Sequence, residues 1–397
     1  MHTTAPGPTR TVPPALDALA SRFNPYDIDV PGGSARIRLA VSDGDDWDAV
    51  IDSPEISLVP AEGEPDAILS ADTETWAQIA EDVRGGMTAF RRRRLRVRQN
   101  LHLGVGFLAA TSGSQEPGRL RFKRIRTRGL ELSILEAGQG DPVVCIHGLG
   151  GTKASFMTTV SALAPAGRRV IAMDLPGFGE SSKPLSAAYD APYFAGAVVA
   201  LLDALGLERA SLIGNSMGGR VAIEAGLLYP ERIERIALLS PALAWLRPRQ
   251  WDWLLRFDLP KLGLIQPAPR WAVEPIVRRM VPGGGEGWAA AGVDEFLRAF
   301  LTPRGRVAFY EAARNIYMDE PHGEQGFWTR LRGLSPDTLF VWGRQDKLVP
   351  ISFMKHVERE LPAATHVELD CGHVPQVEAP DATHRAVREF FDRPART

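Results

Sequence analysis

The sequence predicts an α/β protein in two parts: a smaller α+β domain over about residues 1–115, then a larger domain over 118–395 with a mostly parallel sheet and helices on both faces. Three observations predict this. Beyond residue 118, strand-like and helix-like segments alternate, a rhythm that builds parallel sheets. At 397 residues the chain exceeds what one hydrophobic core usually organises. Between the halves, Thr111-Ser-Gly-Ser-Gln-Glu-Pro-Gly118 is small, polar and turn-forming, as linkers are.

In the first part, Ala35-Arg-Ile-Arg-Leu-Ala-Val41 and Glu55-Ile-Ser-Leu-Val59 alternate in the manner of half-buried strands. They suggest an antiparallel sheet, followed by a helix at about Thr73 to Val83. The stretch Pro65-Asp-Ala-Ile-Leu-Ser-Ala-Asp72, the glycines Gly85-Gly86 and the strand-like Leu95-Arg-Val-Arg98 before an apolar helix resemble the sterol carrier protein type 2 family over roughly residues 15–110. The family's Gly-Asp pair is Gln99-Asn100 here. The resemblance implies a cavity for a lipid ligand; a small domain that only packs or dimerises is the plain alternative.

Arginines crowd Arg91-Arg-Arg-Arg94, Arg96 and Arg98, and continue from Arg119 to Arg128. One reading is a contact for anionic lipid heads at a membrane surface. The other is a solvated strand face and linker balanced by the acidic run Asp43 to Asp48. A net charge of −2 favours the second. No aromatic residue interrupts Arg91 to Arg98, which argues against nucleic acid.

In the second part Val143-Val-Cys-Ile146, a helix near Phe156 to Leu163, Arg169 to Met173, a helix near Ala191 to Leu205 and Ser211 to Ile213 follow in turn. A helix over Met217 to Leu228 comes next. Between the last strand and that helix stands Gly214-Asn-Ser-Met-Gly218, and the question is what Ser216 does. A serine hydroxyl attacks carbonyl carbon only when a base takes its proton, and the base needs an orienting acid. Glycines two before and two after the serine suit the tight turn that lifts a nucleophile from strand to helix. Downstream, Thr338-Leu-Phe-Val-Trp342 leads to Asp346, and Thr365-His-Val-Glu-Leu369 leads to His373. Each ends a strand, so Ser216, Asp346 and His373 are expected at one sheet edge. The position after Ile236 to Leu239 reads Ser240-Pro241, with no acid.

A developing oxyanion needs amide donors. Met217, opening the helix, offers one N–H. The loop His147-Gly-Leu-Gly-Gly151 offers a second, assigned to Leu149. His147 is read as a structural hydrogen-bonding residue, and Asp174 as a shaper of its loop.

With these residues, 118–395 strongly resembles the α/β-hydrolase superfamily through His147-Gly-Leu-Gly, Asp174-Leu-Pro-Gly-Phe-Gly-Glu-Ser, Gly214-Asn-Ser-Met-Gly-Gly219, Trp342-Gly-Arg-Gln-Asp346 and Cys371-Gly-His373. The resemblance implies an α/β-hydrolase fold, Ser216 as nucleophile, His373 as base then acid, Asp346 as orienter, and no cofactor. Asn215, Cys371-Gly-His and Gln376-Val-Glu378 are similar to hydrolases that cleave carbon–carbon bonds in ring-fission products. Those commonly carry tryptophan where this chain has Val374, and Asp-Ser-Pro where it has Asp174-Leu-Pro. On motifs alone, hydrolysis of a lipophilic carboxylic ester through an acyl-enzyme therefore ranks first, the carbon–carbon reaction second, and a non-catalytic lipid-binding protein third. A small apolar ester or ketone is the expected substrate.

From Leu243 to about Arg332 the rhythm is lost and aromatics crowd in: Trp245, Trp251, Trp253, Phe257, Trp271, Trp288, Phe296, Phe300, Phe309, Tyr310, Tyr317, Phe327 and Trp328. Such length suggests a helical cap over the strand ends, with most rings forming its own core. Arg247, Arg249, Arg278 and Arg279 are candidates for a substrate carboxylate. Cys145 and Cys371 show no metal or disulfide spacing, no basic-then-apolar leader is seen, and a cytoplasmic setting is expected.

Overall fold

The computed structural model describes residues 11–81, 89, 92–113, 119–127, 129–245, 260–280 and 287–394. Arg91, Arg247, Arg249, Trp251, Trp253, Phe257, Gly85-Gly86 and most of the expected linker lie outside them, as do the side chains of Arg279, Trp288 and Tyr317. Internal contacts divide the chain into two compact units. The first is Met1–Glu116 with Arg278–Asp294, the second Pro117–Val277 with Glu295–Thr397.

The first unit runs α1 (Pro14–Ala20), β1 (Ser34–Val41), β2 (Trp47–Asp52), β3 (Glu55–Pro60), β4 (Ala67–Ala71), α2 (Thr73–Glu81), β5 (Arg96–Arg98) and α3 (Leu101–Ala110). Its sheet order is β3-β2-β1-β4-β5. The expected antiparallel sheet is in fact mixed: β1 pairs β2 antiparallel but β4 parallel, with Leu39 opposite Leu69. Alternation along β1 buries Ala35, Ile37, Leu39 and Val41 and turns Arg36 and Arg38 outward, where both bind the buried Asp48 at 2.9 Å. Asp48, of the acidic run, thus pairs with Arg36 and Arg38 of β1. Gln99 takes φ +68°, a conformation that favours glycine, and the Asn100 side chain caps α3 by accepting from Leu103 N at 3.0 Å. Those are the two tasks the family's Gly-Asp pair suits.

The second unit opens with two strands the charge pattern concealed, β6 (Arg121–Arg126) and β7 (Glu131–Ala137). Then follow β8 (Asp141–Ile146), α4 (Met157–Leu163), β9 (Arg168–Met173), α5 (Ala191–Ala204), β10 (Ala210–Asn215), α6 (Met217–Leu228) and β11 (Ile233–Leu239). The chain before the next strand carries α7 (Arg270–Met280) and α8 (Gly287–Phe300), whose stretch Arg278–Asp294 belongs to the first unit, then α9 (Pro303–Tyr317) and α10 (Phe327–Leu331). It ends with β12 (Asp337–Gly343), α11 (Met354–Glu360), β13 (Thr365–Leu369), α12 (Pro375–Glu378) and α13 (Pro380–Phe391). The sheet order is β13-β12-β11-β10-β8-β9-β7-β6. From β13 to β9 every pairing is parallel, and β7 and β6 close the edge antiparallel.

Val144, Ile146, Ile171, Met173, Leu212, Ile236, Leu238 and Phe340 are fully buried in this sheet. Each such side chain is worth about 1.5–3 kcal/mol relative to exposure. A sheet covered on both faces leaves its strand ends as the place for chemistry. The basic residues of β6 are held by acids of β7: Lys123 pairs Glu136, and Arg126 reaches Glu131 at 2.9 Å. No helix among the described residues is long and apolar enough to cross a membrane.

Candidate active site

Strand β10 ends at Asn215 and helix α6 begins at Met217, so Ser216 alone makes the turn, at φ +53° and ψ −118°. The reversal leaves no room for side chains around it. A Cβ at Gly214 would sit 2.3 Å from the Gly218 carbonyl oxygen, and one at Gly218 would sit 2.0 Å from that of Ile146. Backbone bonds from Ser216 N to Leu239 O (3.1 Å) and from Ala242 N to Ser216 O (2.9 Å) fix the turn to the end of β11.

His373 follows β13, and Asp346 follows β12. His373 Nε2 lies 2.8 Å from Ser216 Oγ, and Nδ1 lies 2.8 Å from Asp346 Oδ2. The carboxylate requires the Nδ1–H tautomer, which leaves Nε2 to accept from the serine. Asp346 Oδ1 is occupied by the amides of Leu348 (2.8 Å) and Val349 (2.9 Å). Burial opposes the charge of Asp346, but His373 and these amides outweigh it and hold the carboxyl below its usual range. All three expected residues are brought together.

Asn215, beside the nucleophile, donates from Nδ2 to Leu239 O (2.9 Å) and to His373 O (3.0 Å). The sequence marked this residue only through resemblance; its link to the histidine loop bridges 158 positions.

Gly148 abuts the nucleophile, for a Cβ there would lie 3.1 Å from Ser216 Cβ. Leu149 is half-buried in the same loop, and Met217, as the first residue of α6, has an N–H without an intrahelical acceptor. His147 supports the loop: its Nδ1–H donates to Gly148 O at 2.7 Å and Nε2 accepts from Leu175 N at 3.0 Å. Burial pushes the pKa of that imidazole down. Behind it, fully buried Asp174 accepts from Lys153 Nζ (2.6 Å), Lys153 N (2.7 Å) and Glu180 N (2.9 Å). Burial resists its charge, yet Lys153, through its ammonium charge and its two hydrogen bonds, pulls its pKa down to about 2.

The rings of Phe296 and Phe309 lie against Gly150, where a Cβ would come 2.6 and 3.2 Å from them. They join Phe300 and Tyr310 in a half-buried set with centroids 5.1 to 6.0 Å apart. Phe327 and Trp328, in contrast, are buried, whereas Trp271 is 80% exposed and lines no core. Among the described residues no group of His, Cys, Asp and Glu is arranged to hold a metal.

Residues 141–380 match the model of the α/β hydrolase fold. The chain belongs to that family. Within the first unit, residues 22–108 match the model of the SCP-2 sterol transfer family. The α/β hydrolase is 30% identical over 288 residues to a 2-hydroxy-6-oxo-6-phenylhexa-2,4-dienoate hydrolase of Comamonas testosteroni, covering 68% of this chain and 96% of that one. It is 29% identical over 291 residues to the protein of the same name from Burkholderia cepacia, with the same coverage. Among solved structures, a membrane phospholipase A superposes with a TM-score of 0.57 at 26% identity, covering 69% of this chain and 86% of that one.

Proposed function

We propose that this hydrolase cleaves a carbon–carbon bond beside the ketone of a vinylogous diketone, the chemical type that ring fission of an aromatic compound yields. The observation that carries the reading is the Ser216–His373–Asp346 geometry in a chain whose relatives, matched over 96% of their length, are named for such dienoates. These relatives reverse the order in which the motifs alone rank the two reactions.

In this reading Ser216 Oγ attacks the ketone carbon while His373 Nε2 takes its proton, and Asp346 stays a carboxylate that steadies the imidazolium. The N–H groups of Met217 and Leu149 face the oxyanion. The dienol substrate first takes its diketone form, a proton passing from the 2-hydroxyl to the carbon beside the ketone; when the tetrahedral intermediate then collapses, the carbon–carbon bond breaks and its electrons leave as a conjugated enolate, which takes the proton back from His373. Water then hydrolyses the acyl-enzyme with the same base. The α8–α9 rings beside Gly150 supply an apolar wall for the substrate, the role expected of a cap. The SCP-2-like unit is assigned an apolar ligand of its own.

Carboxylic ester hydrolysis is the second reading, favoured by Val374 in place of the tryptophan. One preparation distinguishes them: decay of the visible absorption of a 2-hydroxy-6-oxo-6-phenyl dienoate against release of p-nitrophenol from p-nitrophenyl esters. The proposal expects the larger kcat/KM on the dienoate; a larger value on the esters, with the dienoate untouched, overturns it.

A further inference from the structure

The Gln376-Val-Glu378 segment has no part in the chemistry above, yet Glu378 folds back onto the loop that carries the base. Its Oε2 accepts from Gly372 N at 2.7 Å and its Oε1 from Val374 N at 2.8 Å. One carboxylate therefore takes the backbone N–H groups of both residues that flank His373. The approach depends on Gly372, where a Cβ would stand 2.7 Å from Glu378 Oε2. Helix α12 makes the return possible, since Glu378 N donates to Val374 O at 2.9 Å and sets the side chain one turn above the loop. The other side of the loop is closed by the end of β12: Gln345 N donates to Cys371 O at 2.9 Å, and a Cβ at Gly343 would lie 2.0 Å from Gly372 O.

From this arrangement we infer that Glu378 is a positioning residue for His373, acting on reaction rate through the imidazole and not through the substrate. The inference rests on the assignment of His373 as the base for Ser216. The physical reason is leverage. The two 2.8 Å bonds of the imidazole run in different directions, to Ser216 and to Asp346, so a small rotation of the backbone at His373 lengthens one or both. Bonds from a carboxylate to peptide N–H groups are among the stronger ones available, and here they restrain the Cys371–Gly372 and His373–Val374 peptides. A misplacement of about 1 Å in a catalytic group costs on the order of 100-fold in rate.

The test is a double-mutant cycle read by the rate at which a fluorophosphonate labels Ser216, a reaction that needs the base but is indifferent to which bond the natural substrate breaks. Wild type, Glu378→Ala, His373→Ala and the double variant are compared, with thermal melting alongside. Glu378→Ala is expected to slow labelling about 10- to 100-fold in folded protein. In the His373→Ala background it is expected to slow labelling no further. Glu378→Gln keeps one acceptor oxygen but turns an NH2 toward the other amide; it is expected to fall between the two and supplies the comparison if the alanine variant does not fold. An unchanged labelling rate in Glu378→Ala, or an equal further loss in the His373→Ala background, overturns the inference while leaving the nucleophile in place. Failure of wild-type protein to label overturns the assignment of Ser216 and this inference with it.

Discussion

Asn215 Nδ2 donates to the carbonyl oxygen of His373 across 3.0 Å, so the residue preceding the nucleophile also holds the loop of the base. Asn215→Ala strips donors from the His373 and Leu239 carbonyls in a buried setting, at about 1–3 kcal/mol of stability. The expected result is a lower urea midpoint together with a reduced kcat. An unchanged kcat would mean that the loop keeps its place without this bond.

Asp346 fixes which nitrogen of His373 carries the proton. Asp346→Asn keeps the shape but permits the wrong tautomer, and a loss of about 1,000- to 10,000-fold in kcat with little change in KM is expected. Steady-state kinetics on the responding substrate decide it; a loss under 10-fold would assign the orienting role elsewhere.

The Asp174–Lys153 pair is a structural device under the loop of His147. Lys153→Met leaves a fully buried carboxylate without its cation and is expected to cost about 3–5 kcal/mol. Gly179, at φ +47°, faces the same carboxylate, and a Cβ there would come 2.1 Å from Asp174 Oδ2. Gly179→Ala is therefore expected to lower the urea midpoint by the equivalent of at least about 2 kcal/mol. Retention of the wild-type midpoint by either variant would contradict this reading of the pair.

His384 is buried with Nε2 3.0 Å from Thr159 Oγ1, and burial pushes its pKa down to about 4. Its unfolded value is near 6.5, so between pH 6.5 and 4 the unfolded chain binds the extra proton. Stability is thus expected to fall as pH drops through that window, by up to about 3 kcal/mol from this group. His147, buried and also lowered, works in the same direction. His384→Gln should flatten the slope of unfolding free energy between pH 6.5 and 4; a slope identical to wild type would place the effect on other groups.

Much of the site was legible because its constraints are local. Gly214 is demanded by the Gly218 carbonyl of the turn itself, and strands such as Val143 to Ile146 are continuous apolar runs because both faces are covered. What escaped the sequence depends on partners far along the chain. Strand β6 looks like a basic linker until Glu131 and Glu136 stand opposite it. The parallel pairing of β1 with β4 has no local signature, since alternation reports which face is buried and not which way the neighbour runs. Asn215 was visible as a family mark, but its bond to His373 exists only once β10 and the loop after β13 meet.

Ser216 as a nucleophile activated by His373 makes a prediction that covalent labelling can check. Intact mass after exposure to a fluorophosphonate, with the adduct mapped by peptide sequencing, tests it most directly. One adduct is expected, on Ser216, with loss of turnover in proportion to its yield, and none on Ser216→Ala. An adduct on another residue, or full turnover by Ser216→Ala, would contradict it.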